Sequence, residues 1–339
     1  MERPLWTFVP RGTAAEIAHR SRVLQDKGVA GVYGTQVYGP PWAVLSAAAA
    51  GTTTLGLGSG IAIAHTRSPF ETAMCALDLD RLSGGRFVLG LGTGPRDWAE
   101  RYFGVPYERP VTRLADVIGV VRHVEQHAHR ADMPPFEGQI TSLSFPALAP
   151  TAPPARPRLP IWVAALREPL CRLAGQVADG LIGHPMWSVE WALDQAMAAL
   201  AEGCARAGRD RAEVQVQPWV TVSIDRRAAD AVALAKPNVA FYASIAQYRP
   251  YFDAHGFGNE ADRLAESAAA GRLFAEADRL VPDEMARSFI ACGEPDQVAE
   301  RIEPLWDVAS SMLVAPVRWG LSREQATAQF HACEALFGV

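Results

Sequence analysis

Residues 54–94 read TLGLGSGIAIAHTRSPFETAMCALDLDRLSGGRFVLGLGTG. Two glycine-dense extended segments, GLGSGIAIA and FVLGLGTG, flank one helix-patterned run from Glu71 to Leu82 that Gly84-Gly85 closes. Strand, helix, strand over this length is the repeating unit of a parallel sheet. Glycine weakens a strand interior, so its repetition predicts that another backbone or a flat ligand comes close. In a parallel barrel both strands end on the face where barrel enzymes hold their ligands. The stretch therefore predicts a planar cofactor lying across strand ends, and so an enzyme.

Working outward, short apolar runs predict strands at 5–9, 30–35, 52–64, 86–91, 159–164, 180–183, 214–224 and 312–317. Thr13 with Glu16 forms a capping-box pattern for a helix running to about Lys27. Further helices are predicted at 97–103, 111–127, 168–178, 189–207 and 323–336, with a small extended excursion at 136–145 and a Pro-rich crossing segment at 149–160. Residues from about 226 to 300 are alanine-rich and helical, with interruptions at Arg249-Pro250 and Gly256-Phe257-Gly258. Eight strands alternating with helices predict an α/β fold, a (β/α)8 TIM barrel with a helical insertion between strands 7 and 8. The whole of 1–339 is read as one barrel domain, with 226–300 as the insertion inside it.

The chain has 339 residues, 49% of them apolar, and a net charge of -5. It carries no basic footprint for nucleic acid, and no apolar run reaches the roughly 18 residues of a membrane span. The start, MERPLWTFVP, lacks a signal-peptide layout. Five scattered cysteines without a CxxC pair read as free thiols of a reducing compartment. A cytoplasmic enzyme is expected.

Several residues are candidates for chemistry. Gly90-x-Gly92-x-Gly94 has the wrong spacing for a dinucleotide fingerprint, and a flavin-like ring packing on these glycines is the favoured reading. Ser59-Gly60 marks a bulge or an unusual peptide bond in the third strand. His65 lies just past that strand with Arg67 nearby, and His184 follows Gly183 at the end of the sixth, ahead of a helix, where a phosphate cradle forms. His123, Glu125, His127 and His129 do not make HExxH, and the helix buries Val117, Ile118, Val121 and Val124 instead; no metal is expected. Neither Lys27 nor Lys236 falls at a strand end, which disfavours a Schiff-base aldolase. No carboxylate pair marks the strand ends, which argues against glycoside hydrolysis. A barrel short of its own reactive groups borrows those of a cofactor.

The segments SGIAIAHTRSP, LSGGRFVLGLGTG, RYFGVPYERPVTRLADVIGVVR, LPIWVAALREPLCRLAGQVADGLIGHP and ACGEPDQVAERI, in this order, resemble the bacterial luciferase-like monooxygenase superfamily, and within it the coenzyme F420 (deazaflavin) branch. The resemblance implies a cis peptide at Ser59-Gly60 backing the ring, with cofactor contacts from Gly92, Thr93 and Gly94. It places the phosphate side at Ala164, Ala165, Leu166, Gly183 and His184. It also implies hydride transfer between F420 and a small organic substrate, with a proton group drawn from His65, Tyr38 or Asp97. A homodimer is expected by the same resemblance. The alternatives are an FMN-dependent two-component monooxygenase needing a reductase partner, and a non-catalytic flavin-binding protein. Relatives that oxidise sugar phosphates carry Asp-His after strand two, where this chain has Thr35-Gln36-Val37-Tyr38. They carry Glu after the GTG turn and Lys past strand six, where it has Pro95 and Trp187, and Leu166-Arg167 stands where family members have a glycine pair. Neither a phosphorylated sugar nor the family's general acid is carried over. Trp42, Trp98, Trp187 and Trp219 are candidate pocket walls, and Phe241, Tyr242, Tyr248 and Tyr251 a candidate lid.

Overall fold

A computed structural model describes residues 3–37, 39–130, 133–145 and 149–339. Eight parallel strands make the barrel. They are β1 (Leu5–Phe8), β2 (Gly31–Gly34), β3 (Gly56–Ser59), β4 (Phe87–Gly92), β5 (Ile161–Ala165), β6 (Gly180–Gly183), β7 (Gln215–Gln217 and Trp219–Ile224) and β8 (Met312–Pro316). Neighbours follow chain order from β1 to β6, and β8 pairs with β1. The ring closes through β7, whose first part pairs with β6 and whose second pairs with β8. The break between the two parts falls at Pro218, which has no N–H to give to either neighbour.

The third predicted strand is not continuous. β3 ends at Ser59, and pairing with β4 resumes at Ala62–Ile63. A cis peptide stands between them at Gly60-Ile61, one bond later than the expected Ser59-Gly60.

Strand register explains most of the glycines. Trp6 lies opposite Gly31, Tyr33 opposite Gly58, and Trp162 opposite Gly180. A Cβ at Gly31, Gly58 or Gly180 would sit 2.6, 2.3 and 2.6 Å from the facing ring. Each barrel-filling aromatic thus occupies the volume that a side chain on the next strand would need. These rings, with Ile182, Trp219 and Leu313, form an inner cluster separate from the larger core between sheet and helices. At its centre the Tyr33 hydroxyl donates to Gln217 Oε1 (2.6 Å), and Gln217 Nε2 donates to Ser311 Oγ (2.8 Å). Of the two expected reasons for strand glycines, another backbone or a flat ligand close by, the first, together with the chain's own rings, accounts for Gly31, Gly58, Gly90 and Gly180.

The outer helices are α1 (Ala14–Asp26), α2 (Trp42–Gly51), α3 (Pro69–Leu82), α4 (Pro110–His127), α5 (Glu168–Val177) and α6 (Met197–Arg206). Thr13 and Glu16 form the expected capping box of α1. The helix expected at 97–103 is one wide turn, Trp98–Tyr102. The insertion carries α7 (Ala228–Ala243), α8 (Arg249–Ala254), α9 (Gly258–Ala269), α10 (Leu273–Leu280), α11 (Asp283–Phe289) and α12 (Pro295–Ile302), broken at both expected places. The helix α13 (Arg323–Phe337) follows β8. No described helix is long and apolar enough to cross a membrane.

The LSGGRF motif is a fastening at the opposite end of the barrel from the site. Arg86 donates to the carbonyls of Leu55 (2.6 Å), Thr52 (3.0 Å) and Ser83 (2.6 Å), tying the starts of β3 and β4 together.

Candidate functional site

The C-terminal ends of the strands open into a cavity of about 930 Å³, the size of a site for a cofactor and a small substrate. Its walls are largely apolar and aromatic. One rim continues as a groove between α1 and α13 along Val23, Leu24 and Phe330.

Nine of the ten residues expected at the cofactor line this cavity: Gly60, Gly92, Thr93, Gly94, Ala164, Ala165, Leu166, Gly183 and His184. Ser59 does not. Successive strand residues point to opposite sides, and Ser59 turns towards β4. Its hydroxyl donates to Gly90 O and accepts the Gly90 N–H, both at 2.9 Å. Ile61, immediately after the cis bond, presents its side chain to Gly92: a Cβ there would meet Ile61 Cδ1 at 2.3 Å.

His184 sits with its ring edge-on to Tyr242 and Tyr248, at centroid distances of 5.2 and 5.0 Å. Burial pushes its pKa down to about 3, so the imidazole is neutral at pH 7. Its Nδ1 accepts the Met186 N–H at 3.1 Å, which leaves the proton on Nε2. Burial raises the phenol pKa values of Tyr242 and Tyr248, so both remain protonated donors.

The three proton candidates fare differently. His65 is 5% exposed and does not line the cavity. It lies edge-on to Tyr107 (5.4 Å), and neither ring nitrogen has a hydrogen-bond partner among the described residues. Burial, then the nearby Arg113 charge, push its pKa down to about 4. Asp97 is exposed at the start of the turn after β4 and is not in the wall. Tyr38 lies outside the described residues. Of the four candidate tryptophans, Trp98 and Trp219 line the cavity. Trp187 is buried and donates to Leu166 O (3.1 Å), and Trp42 packs on Phe87 with the Arg67 guanidinium over its face (5.4 Å). Phe241, Tyr242 and Tyr248 line the cavity. Tyr251 is buried, donating to Met186 O (2.8 Å).

The histidine burial has a pH signature. Both folded pKa values lie below the ordinary 6.5, so below pH 6.5 the unfolded chain binds more protons and stability falls as pH falls. For His65 the loss accumulates from about pH 6.5 down to about 4, at roughly 1 kcal/mol per pH unit and about 3 kcal/mol in all. Urea melts between pH 7 and 4.5 are expected to show a shallower slope for His65→Leu than for the native chain. Parallel slopes would contradict this burial.

Three wall residues, Tyr107, Gln247 and Gln36, escaped the sequence reading. The Tyr107 hydroxyl donates to Gly94 O (3.0 Å) and accepts from Gln247 Nε2 (2.9 Å). Gln247 Oε1 accepts the Arg96 N–H (2.7 Å). One side chain of the insertion thus bridges the turn after β4 and the loop beyond it. Gln36, at the end of β2, accepts from the Ile63 N–H (2.9 Å) and Arg67 (3.0 Å) and donates to Thr66 (2.9 Å). It fixes the loop after β3 from the end of β2.

The stretch from His123 to His129 is held by contacts of its own. Glu125 accepts from Arg122 and from the Leu159 N–H, and His123 Nε2 meets Pro134 O at 2.8 Å.

A family model described as luciferase-like monooxygenase matches residues 5–308. An uncharacterized protein of Mycobacterium tuberculosis is 31% identical over 290 residues, 84% of this chain and 85% of the relative. The 5,10-methylenetetrahydromethanopterin reductase of Methanolobus tindarius is 30% identical over 328 residues, 94% of this chain and 95% of the relative. Among solved structures, the coenzyme F420-dependent tetrahydromethanopterin reductase from Methanopyrus kandleri superposes with a TM-score of 0.76 at 25% identity, covering 96% of this chain and 95% of that one.

Proposed function

This chain belongs to the luciferase-like monooxygenase family, and from that premise we propose that it is an oxidoreductase using coenzyme F420 to transfer a hydride to or from a small organic substrate. The observation that carries this reading is the convergence of Gly60, Gly92–Gly94, Ala164–Leu166, Gly183 and His184 on one large apolar cavity. The similarity to F420-dependent reductases over nearly the full chain supports it.

The wall fits such a group. Gly60, Ile61 and Gly92 offer a low, apolar seat for a flat ring, and the ends of β5 and β6 offer backbone and a neutral Nε2–H donor to an anionic arm. When bound, a deazaflavin supplies the hydride-exchanging ring carbon. The protein's share is orientation, exclusion of water and a proton. Trp98, Tyr242 and Tyr248 close the cavity against solvent. The proton falls to the Tyr242 and Tyr248 phenols of the cavity wall, rather than to His65 or Asp97.

Titrating the pure protein separately with F420 and FMN tests the reading. F420 is expected to bind and to turn over with one member of a panel of imines, enones and secondary alcohols. Binding of FMN alone would sink it and favour the two-component monooxygenase. The Gln247 bridge acts as a latch on the insertion. Gln247→Ala is expected to speed F420 dissociation about tenfold in stopped flow, with the thermal midpoint within a few degrees of native. An unchanged dissociation rate would remove the latch from the account.

A further inference from the structure

The cofactor-facing residues lie at the ends of β3 to β6, which leaves the part of the cavity over β8 and β1 for the other reactant. That part is lined by Phe8, Arg11, Phe241, Arg318 and Trp319. Arg318, just past β8, makes no side-chain hydrogen bond and no ion pair with any described residue. Its guanidinium carbon lies 4.9 Å from the Trp319 ring centre and 5.9 Å from that of Phe8. Trp319 is itself stacked on Phe241, at 4.2 Å and 14°. The backbone beneath is held as well. Asn238 Oδ1, buried on α7, accepts from the N–H groups of Arg318 (3.4 Å) and Trp319 (3.5 Å), and the Val317 N–H donates to Val222 O (2.9 Å).

Arg318 is exposed to the cavity, and a guanidinium flanked by rings and left without an acceptor is open to a planar anion. The packing around the guanidinium lowers the Arg318 pKa, the Tyr242 phenol acts against that, and Arg11, which also lines the cavity, adds a like charge. Arg167 and Arg20 line the cavity too, and Glu334, the one acidic side chain in the wall among the described residues, is paired with Lys27. In a chain whose net charge is -5, the described cavity wall thus carries five lysine and arginine side chains against one carboxylate side chain.

We propose that Arg318, with Arg11 beside it, is the anion-recognition group of the substrate lobe, and that the substrate is a flat, apolar-bodied compound bearing a carboxylate or phosphate. The rings of Phe8, Phe241 and Trp319 hold the body, and the planar guanidinium takes the paired anionic oxygens. The inference rests on the deazaflavin reading only for which lobe belongs to the substrate.

The test uses 2-naphthoate and 2-naphthamide, which share a ring system and differ in charge, followed by quenching of tryptophan fluorescence. Naphthoate is expected to bind at least tenfold more tightly than naphthamide, with and without F420 present, and the gap is expected to narrow as salt rises. Arg318→Gln is expected to erase the gap, Arg318→Lys to restore part of it, and neither to change F420 affinity by more than about twofold. Equal binding of the two probes to the native protein overturns the proposal without recourse to any variant. So does a loss of F420 affinity in Arg318→Gln as large as the loss for naphthoate, since the arginine would then serve an anionic arm of the cofactor. Naphthoate binding that depends on Arg318 in a protein that binds no F420 would remove the cofactor reading and leave the anion site standing.

Discussion

Gly90→Ala is expected to destabilise the protein by roughly 3 kcal/mol or more, a drop of about 4 °C or more in thermal midpoint. A Cβ at Gly90 would stand 2.0 Å from the Ser59 carbonyl oxygen and 2.9 Å from Ile182 Cδ1. The first of these is backbone and cannot swing aside. Ser59 is also bonded twice to Gly90 through its hydroxyl, so displacing β3 to make room breaks two buried hydrogen bonds. Gly39→Ala is the control, because nothing lies within 4 Å of its added carbon. Its midpoint is expected to stay within about 1 °C of native, as surface changes do. A Gly90→Ala protein as stable as that control would show that β3 and β4 are not fastened as described.

Ala164→Trp is expected to weaken cofactor binding strongly while leaving the barrel intact. Ala164 is half-buried at the end of β5, and its Cβ lies 3.5 Å from where a Gly92 Cβ would stand. An indole there projects into the proposed ring seat rather than into packed core. F420 affinity is expected to fall on the order of 100-fold, about 2.7 kcal/mol, with a thermal midpoint equal to or above native. Unaltered affinity in a folded Ala164→Trp protein would place the ring elsewhere. Lost affinity together with lost stability would instead mark Ala164 as core. The two substitutions separate what a single glycine-rich motif merges: Gly90 serves the fold, and the neighbourhood of Gly92 faces the cavity.

The fold was legible because each strand is a short apolar run and each helix carries its own start or stop, as Thr13 with Glu16 and Pro250 illustrate. Pattern reading went astray where a local break shortened an element. Pro95 and Gly104 leave room for only one turn between them, and β3 stops at Ser59 although apolar residues continue to Ala64. The cavity-facing set was legible from resemblance for a similar reason: it consists of strand ends, which the topology brings together whatever the loops do. His65 was misplaced because the sequence cannot tell a residue beside the mouth from one tucked behind Tyr107. Gln247 and Tyr107 are 140 residues apart, and no local pattern announces that they touch. Arg318 carried a usable signal, an arginine just past the eighth strand, on the face where barrel enzymes place their functional groups.

The opposition of Trp6 to Gly31, Tyr33 to Gly58 and Trp162 to Gly180 has a consequence for how this barrel can change over generations. Enlarging the small partner first is blocked by the ring already there, whereas trimming the ring first leaves a void that the small partner can later grow to fill. Routes through these positions therefore run one way, and relatives that have lost one of the large rings are the ones free to carry a bulkier residue on the adjoining strand.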